Sequence, residues 1–228
     1  AAYPGYDAVW ARDSMIMSLG ASLLENKFKD TFKQSLITLG SHQSPHGQIP
    51  NAVDIFSKKR APHVDYKSID STLWFLIGHH VYKERYKDAS LFKKHKEKIE
   101  KALTWLNYED MCELGLLDQL PTTDWEDAFP HRYGHTINSL ALYYKVLNLY
   151  NKTPHARKLK KIVNNDREDC LWNKNFYLAW RWKNHNLYKE KGEWFDSLGN
   201  VLAIIFDLAD EKKAEKIFSY IRKEKINK

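Results

Sequence analysis

Two consecutive stretches decide the fold: IDSTLWFLIGHHVYKERY over Ile69–Tyr86, and SLFKKHKEKIEKALTWLNYEDM over Ser90–Met111. In the second, Leu91, Ile99, Ala102, Leu103 and Leu106 recur at helical spacing between lysines, the pattern of a helix with one face in water. A short polar connection separates the two stretches, so they read as an antiparallel helix pair. Three further pairs have the same form. They are Val9–Glu25 with Lys27–Ser41, Gly134–Tyr150 with His155–Glu168, and Leu198–Leu208 with Lys212–Arg222. A helix pair that recurs about every fifty to sixty residues is a repeat architecture, in which each hairpin needs neighbours to bury its apolar face. The expected fold is therefore all-α, an array or ring of about four helical hairpins. One strand-like signal interrupts it, the alternation of Phe176, Leu178, Trp180 and Trp182 with Tyr177, Ala179 and Arg181.

The chain has 228 residues, 43% of them apolar, 14% aromatic and 29% charged. That is the size of one domain with a sizeable core, and the composition excludes a disordered tail. No run suits a membrane span or a signal peptide, so no membrane partner is expected. Two cysteines, Cys112 and Cys170, fit a reducing compartment, and the expected location is cytoplasmic. The start at Ala1-Ala2-Tyr3, without Met, suggests processing or a piece of a longer protein. The net charge of +7 sits in Lys93-Lys94-His95-Lys96, Arg157–Lys161, Lys212-Lys213 and Arg222–Lys228. These runs read as solvated helix faces. No recognition motif accompanies them, so no nucleic-acid partner is expected.

Polar and aromatic residues cluster before or at the start of the first helix of each pair. The clusters are Trp10, Arg12 and Asp13; then Asp65, Tyr66 and Asp70; then Asp124, Trp125, Glu126, Asp127 and Arg132; and last Glu193, Trp194, Asp196 and Asn200. Helix capping accounts for an Asp or Ser at such a place, but it does not call for an aromatic residue, Trp in three of the four, beside the carboxylate each time. Trp faces beside carboxylates and Arg suit a sugar, whose CH-rich ring stacks on indole while its hydroxyls pair with fixed polar groups. If alternate helices run parallel, the four clusters share one rim. Thr122-Thr123-Asp124-Trp125-Glu126-Asp127-Ala128 places three carboxylates within four residues. Glycosidic hydrolysis needs one carboxylic acid and one carboxylate, and crowded like charges raise the pKa that the acid requires.

Other chemistries find little support. The carboxylates lack a twelve-residue calcium loop, and Pro45 breaks the helix that would align His42 with His46 for zinc. No P-loop, GxGxxG or GxSxG occurs. No metal and no cofactor are therefore expected. His131 and His135 flank the acidic loop, and His79-His80 lies within a helix. Asn151-Lys152-Thr153 matches a glycosylation sequon, but Pro154 follows it and no secretion signal is seen.

These residues resemble the six-hairpin glycosidases with an (α/α)6 barrel. The likeness is closest to the amylo-α-1,6-glucosidase domain of glycogen-debranching enzymes, and next to the alkaline/neutral invertases. Trp10-Ala11-Arg12-Asp13-Ser14 resembles the family's W-x-R-D, and Gly47-Gln48-Ile49-Pro50-Asn51 its G-x-I-P-N loop. Ser68-Ile69-Asp70-Ser71-Thr72-Leu73-Trp74-Phe75 is similar to S-V-D-A-T-L-W-F, and Asp124-Trp125-Glu126-Asp127-Ala128 to T-W-M-D-A. Arg132, Gly134 and Ile137-Asn138-Ser139-Leu140-Ala141-Leu142-Tyr143-Tyr144 resemble R-x-G plus E-I-N-A-L-W-Y. Asp196-Ser197-Leu198-Gly199-Asn200, with Ala203-Ile204, resembles the invertases' L-G-N-L-W-A-I.

The resemblance spans residues 3 to about 220 and implies a glycosidase that acts on α-glucosidic bonds with inversion, with Asp127 as general acid. It places Trp10, Arg12, Asp13 and Asp70 around the reacting sugar, with Trp125 as a stacking wall. The motif residues Gln48, Asn51, Asp124, Arg132, Asp196 and Asn200 complete the expected substrate-binding set. Asp124 stands where the family has Thr, and Glu126 where it has Met. The family's base comes from a later hairpin, and no matching Glu is present, so the expected chain is a fragment that pairs with its missing C-terminal hairpins or another chain. An open ring would also expose the apolar flanks of hairpins one and four. Three alternatives stay open: a carbohydrate-binding or scaffold module of the same fold, an invertase-like sucrose hydrolase, and a helical protein that binds protein or RNA through its basic faces.

Overall fold

A computed structural model describes residues 8–55, 61–165 and 167–224. Tyr3, where the resemblance starts, and residues 225–228, the end of the last basic run, lie outside the described residues. The chain separates into two compact units, residues 1–108 and 109–228.

The first unit holds two helical hairpins. α1 (Ala11–Ala21) and α2 (Lys29–Ser41) form one; α3 (Asp70–Tyr86) is followed by α4 (Ser90–Lys94) and α5 (Lys96–Tyr108). α3 packs against both α1 and α2, and every residue from Asp70 to His79 is buried. A helix apolar all round belongs inside. A small antiparallel sheet, β1 (Val9–Trp10), β2 (Ala52–Asp54) and β3 (His63–Asp65), lies ahead of the helices, with Trp10 opposite Ala52 and Ala52 opposite Asp65. It ties α1 to the loop before α3, because the Ala11 N–H donates to the Asn51 carbonyl at 2.8 Å.

Gly47 shapes that loop. Its φ of +105° is in the left-handed region, and a Cβ there would run into the Lys101 carbonyl of α5. Gly47→Ala is expected to cost about 2 kcal/mol or more, from backbone strain plus a displaced helix. Urea unfolding checks this, and an unchanged midpoint would contradict it.

The second hairpin breaks at His95, which expectation had inside one continuous helix. His95 turns inward, and its Nδ1 lies 3.1 Å from His79 Nε2. Burial, then the neighbouring His95, lowers the pKa of His79 to about 3; burial, then Lys98 and Lys94, lowers that of His95 to about 4. The unfolded chain takes up these protons below about pH 6.5, whereas the native pair resists until far lower. Stability is therefore full above pH 6.5 and falls toward pH 4, by up to about 1.4 kcal/mol per pH unit for each histidine. Thermal midpoints from pH 7 to 4 check this, and His79→Phe is expected to flatten the slope.

The second unit holds α6 (Ile137–Leu149) with α7 (Thr153–Asn164), and α8 (Ser197–Ile205) with α9 (Glu211–Glu224). α6 is the buried centre and packs on α7 and α8. α7 buries Ala156, Leu159 and Val163 and turns Arg157, Lys158 and Lys161 to water, the solvated face read from its charge run. Large apolar side chains stay exposed in the chain's first and last hairpins, among them Met17, Leu23 and Leu24 in one and Ile205 and Phe218 in the other.

The all-α expectation needs correction. Besides the first sheet, β4 (His135–Thr136), β5 (Leu178–Asn184) and β6 (Leu187–Phe195) form a second antiparallel sheet in that order. The strand-like signal at Phe176–Trp182 marks β5. Its partner β6 went unread because its middle, Lys-Glu-Lys-Gly-Glu, has no apolar alternation. Gly134, at φ +71°, lets the chain enter β4 closely against the backbone of Arg181.

Candidate functional site

In the first unit, two of the four clusters come together. Trp10 is the extended residue before α1 and is partly buried, and Arg12 lies in the first turn. Arg12 NH1 meets Asp70 Oδ2 at 2.8 Å across 58 residues. Asp70 opens α3 fully buried, where the helix N-terminus favours its charge. Its other oxygen accepts from the Ser68 hydroxyl. The Arg12 side chain keeps 15% of its surface exposed and Asp70 none. Asp13, one residue on, is exposed. Ser68 thus positions Asp70, and Asp70 positions Arg12.

The loop residues are held mainly by protein. Gln48 Nε2 donates to the Tyr66 carbonyl at 2.5 Å, and the Tyr66 hydroxyl donates to the His42 carbonyl at 2.6 Å. Asn51 Nδ2 donates to Asp65 Oδ2 at 2.8 Å. The buried Ile49 N–H donates to Thr72 Oγ1 of α3 at 3.0 Å. These bonds fix the loop against α3.

In the second unit, Arg132 joins the other two clusters. Its Nε donates to Asp124 Oδ2 at 2.8 Å, NH2 to Asp196 Oδ2 at 2.6 Å, and NH1 stands 3.3 Å from Glu126 Oε2. Arg132, Asp124 and Asp196 have no side-chain exposure, and Glu126 has 11%. Burial works against the Arg132 charge, but Asp196, Asp124 and Glu126 more than offset it and push its pKa up. One guanidinium cannot neutralise three carboxylates. Glu126 carries the surplus: burial pushes its carboxyl above the usual range against the pull of Arg132, and Asp196 and Asp124 add to the rise.

The same bonds shape the acidic loop. Asp124 Oδ1 accepts from the Glu126 N–H at 3.0 Å, and the Phe129 N–H donates to the Glu126 carbonyl at 3.0 Å. That turn places Asp127 at the exposed surface. Trp125 beside it is partly buried, and its indole N–H has no hydrogen-bond partner among the described residues.

Asp196 also caps α8, its Oδ1 accepting from the Gly199 N–H at 2.9 Å. Asn200 is committed within the protein: Nδ2 donates to the Tyr177 and Asp196 carbonyls, and Oδ1 accepts from the Tyr177 N–H. Glu193 is exposed and pairs with Lys191 at 2.6 Å, while Trp194 beside it is exposed. Neither Asp196, whose two oxygens are engaged in the interior, nor Glu193, paired on a strand surface, is placed as a base. The sequence reading passed over Ser68 as a site residue. The serine two places before a buried aspartate was its one available signal.

Among the described residues no group of three or more His, Cys, Asp or Glu is placed to hold a metal ion, and no helix is long and apolar enough to cross a membrane.

No curated protein matches the chain by sequence. Among solved structures, its fold is similar to that of a rhamnosidase from Klebsiella oxytoca with rhamnose bound, at a TM-score of 0.71 and 12% identity over 95% of this chain. The chain spans 42% of the length of that structure. The family described as amylo-alpha-1,6-glucosidase matches residues 1–222, from before the W-x-R-D segment through α8 and most of α9. With the D-W-E-D loop, its buried arginine and the Arg12–Asp70 pair all within that match, the chain belongs to the amylo-α-1,6-glucosidase family.

Proposed function

We propose that the chain is part of a glycoside hydrolase that acts on α-glucosidic bonds, with the α-1,6 branch glucose of a glycogen-type or starch-type glucan as its substrate class. In this reading the four helical hairpins belong to an (α/α)6 ring. Asp127 protonates the glycosidic oxygen, a second carboxylate activates water on the opposite face, and configuration inverts. Inversion needs the two carboxyl groups about 6.5–9.5 Å apart. Arg132 occupies Asp124 and Asp196, so the activating carboxylate is one that this cluster does not supply.

The observation that carries the reading is the Arg132 cluster. It secures a D-W-E-D loop with Asp127 at the surface, where a carboxyl is open to a glycosidic oxygen. Trp125 beside it supplies an indole face for a sugar ring.

The test is glucose release from isomaltose, a branched limit dextrin, maltose and sucrose by the full-length protein. Release from isomaltose and the limit dextrin, with none from sucrose, is the expected result. Release from sucrose alone would favour an invertase-like hydrolase. Saturable sugar binding without any release would make this a binding module.

A further inference from the structure

A second polar cluster in the unit of residues 109–228 has no part in that mechanism. Asp118 and His135 are both buried, with His135 Nδ1 3.2 Å from Asp118 Oδ1. The same nitrogen lies 3.3 Å from the Leu117 carbonyl, and Nε2 lies 3.0 Å from the Tyr188 hydroxyl. The second Asp118 oxygen accepts from the Cys112 N–H. Burial pushes the His135 pKa down against the pull of Asp118. The Leu117 carbonyl can only accept, which places a proton on Nδ1. The other ring nitrogen holds the Tyr188 hydroxyl, whose oxygen keeps capacity for a further hydrogen bond.

Tyr188 lines a pocket of about 390 Å³, together with Leu114, Arg167, Asp169, Lys183 and Asn186. That volume falls in the range of small-molecule sites. Asp169 Oδ1 is buried with no hydrogen-bond partner among the described residues, and the same holds for Arg181 Nε. Of the two, Asp169 belongs to the pocket lining. A buried acceptor left unpaired is costly, and a ligand hydroxyl that donates to Asp169 relieves that cost. The lining is mixed in sign: Arg167 and Lys183 offer donors, and Glu168 and Asp169 carry negative charge. A phosphate would meet the two carboxylates and a free amine the two cations. A neutral ring with adjacent hydroxyls suits all of them, and Leu114 gives its CH face an apolar contact.

We propose that this pocket is a second sugar-binding site, where one hydroxyl of a pyranose donates to Asp169 or the Tyr188 oxygen and its neighbour accepts from Lys183. The choice of an α-glucoside as ligand rests on the glycosidase reading above. The buried Asp118–His135 pair positions Tyr188, and the site would hold a length of glucan by contacts outside the Arg132 cluster.

The experiment is an NMR titration of the full-length protein with maltose and isomaltose, following the His135 imidazole signal as a local reporter, with inorganic phosphate as control. A saturable shift of that signal with the disaccharides and none with phosphate is expected. Lys183→Ala and Asp169→Asn, which leave the buried pair intact, are each expected to weaken the titration about 5- to 10-fold, the loss of one hydrogen bond. Asp127→Asn is expected to leave it unchanged. A silent His135 signal at concentrations that fill a millimolar site, unchanged affinity in both rim variants, or a response to phosphate instead would overturn the proposal. The two readings fail separately. Glucose release with a silent His135 removes the second site alone, and a His135 response in a protein that releases no glucose keeps this site and removes the hydrolase.

Discussion

Arg132→Met is expected to destabilise the protein by about 3–5 kcal/mol, a fall in thermal midpoint of roughly 6–20 °C. Methionine keeps an unbranched apolar stem but leaves Asp124 and Asp196 buried without a counter-charge and Glu126 beside them. Breaking one side of a buried ion pair costs far more than the pair contributes, because the remaining charge has lost water and partner alike. Arg132→Lys is expected to be only a partial repair, since one ammonium cannot address Asp124 and Asp196 through separate nitrogens as Nε and NH2 do. Adding Asp124→Asn and Asp196→Asn to the methionine variant removes two stranded charges and is expected to recover part of the loss. Calorimetry of the single and triple variants decides. A methionine variant within about 1 kcal/mol of the parent would show that the carboxylates take up protons at little cost, and the cluster would not be what holds the acidic loop.

Asp127→Asn is expected to lower kcat on isomaltose or a limit dextrin by about 10²–10⁴-fold, the usual contribution of a general acid. The amide keeps the size and loses the transferable proton. The loss should depend on the leaving group: a sugar alkoxide cannot depart unprotonated, whereas an activated aryl glucoside releases a stable phenolate and is expected to retain most of its rate. Glu126→Gln separates the neighbouring carboxyls. Its effect should be smaller and similar on both substrates, because Glu126 acts through its ion pair with Arg132, which helps to hold the loop. A Glu126→Gln variant that lost activity only on the unactivated substrate would transfer the acid's role to Glu126.

Much of the helical frame was legible because its signals are local. The spacing of Leu91, Ile99, Ala102 and Leu106 and the uniformly apolar Leu73–Ile77 locate helices without knowledge of the rest. The break at His95 was not legible, since neither Pro nor Gly marks it; its cause is His79, sixteen residues away. The strands were harder. β1 and β4 have two residues each, too few for a period, and β6 takes its order from β5 and not from its own alternation.

The site followed the same division. Arg12, Asp70, Asp124, Arg132 and Asp196 could be picked out as charged residues beside Trp, but which carboxylate each guanidinium holds depends on chain segments brought together by folding. Gln48, Asn51 and Asn200 look like sugar contacts in a sequence, and their amides engage Tyr66, Asp65 and Tyr177. Tyr188 and Asp118 carried no sequence signal. Their significance arises from a histidine 17 residues from one and 53 from the other.

The Arg132–Asp196 bond spans 64 residues, and that separation has a consequence for biosynthesis. At 5–20 residues per second, about 3–13 s pass between synthesis of the arginine and of its last carboxylate partner. During that interval Arg132 has only Asp124 and Glu126 near it in sequence, and the segment between is still emerging as α6, α7 and β5. Helices that form in microseconds can wait for a contact that needs seconds. The acidic loop therefore matures late on the ribosome although it is made early, and a nascent chain stalled before Asp196 would carry α6 and α7 without a finished site.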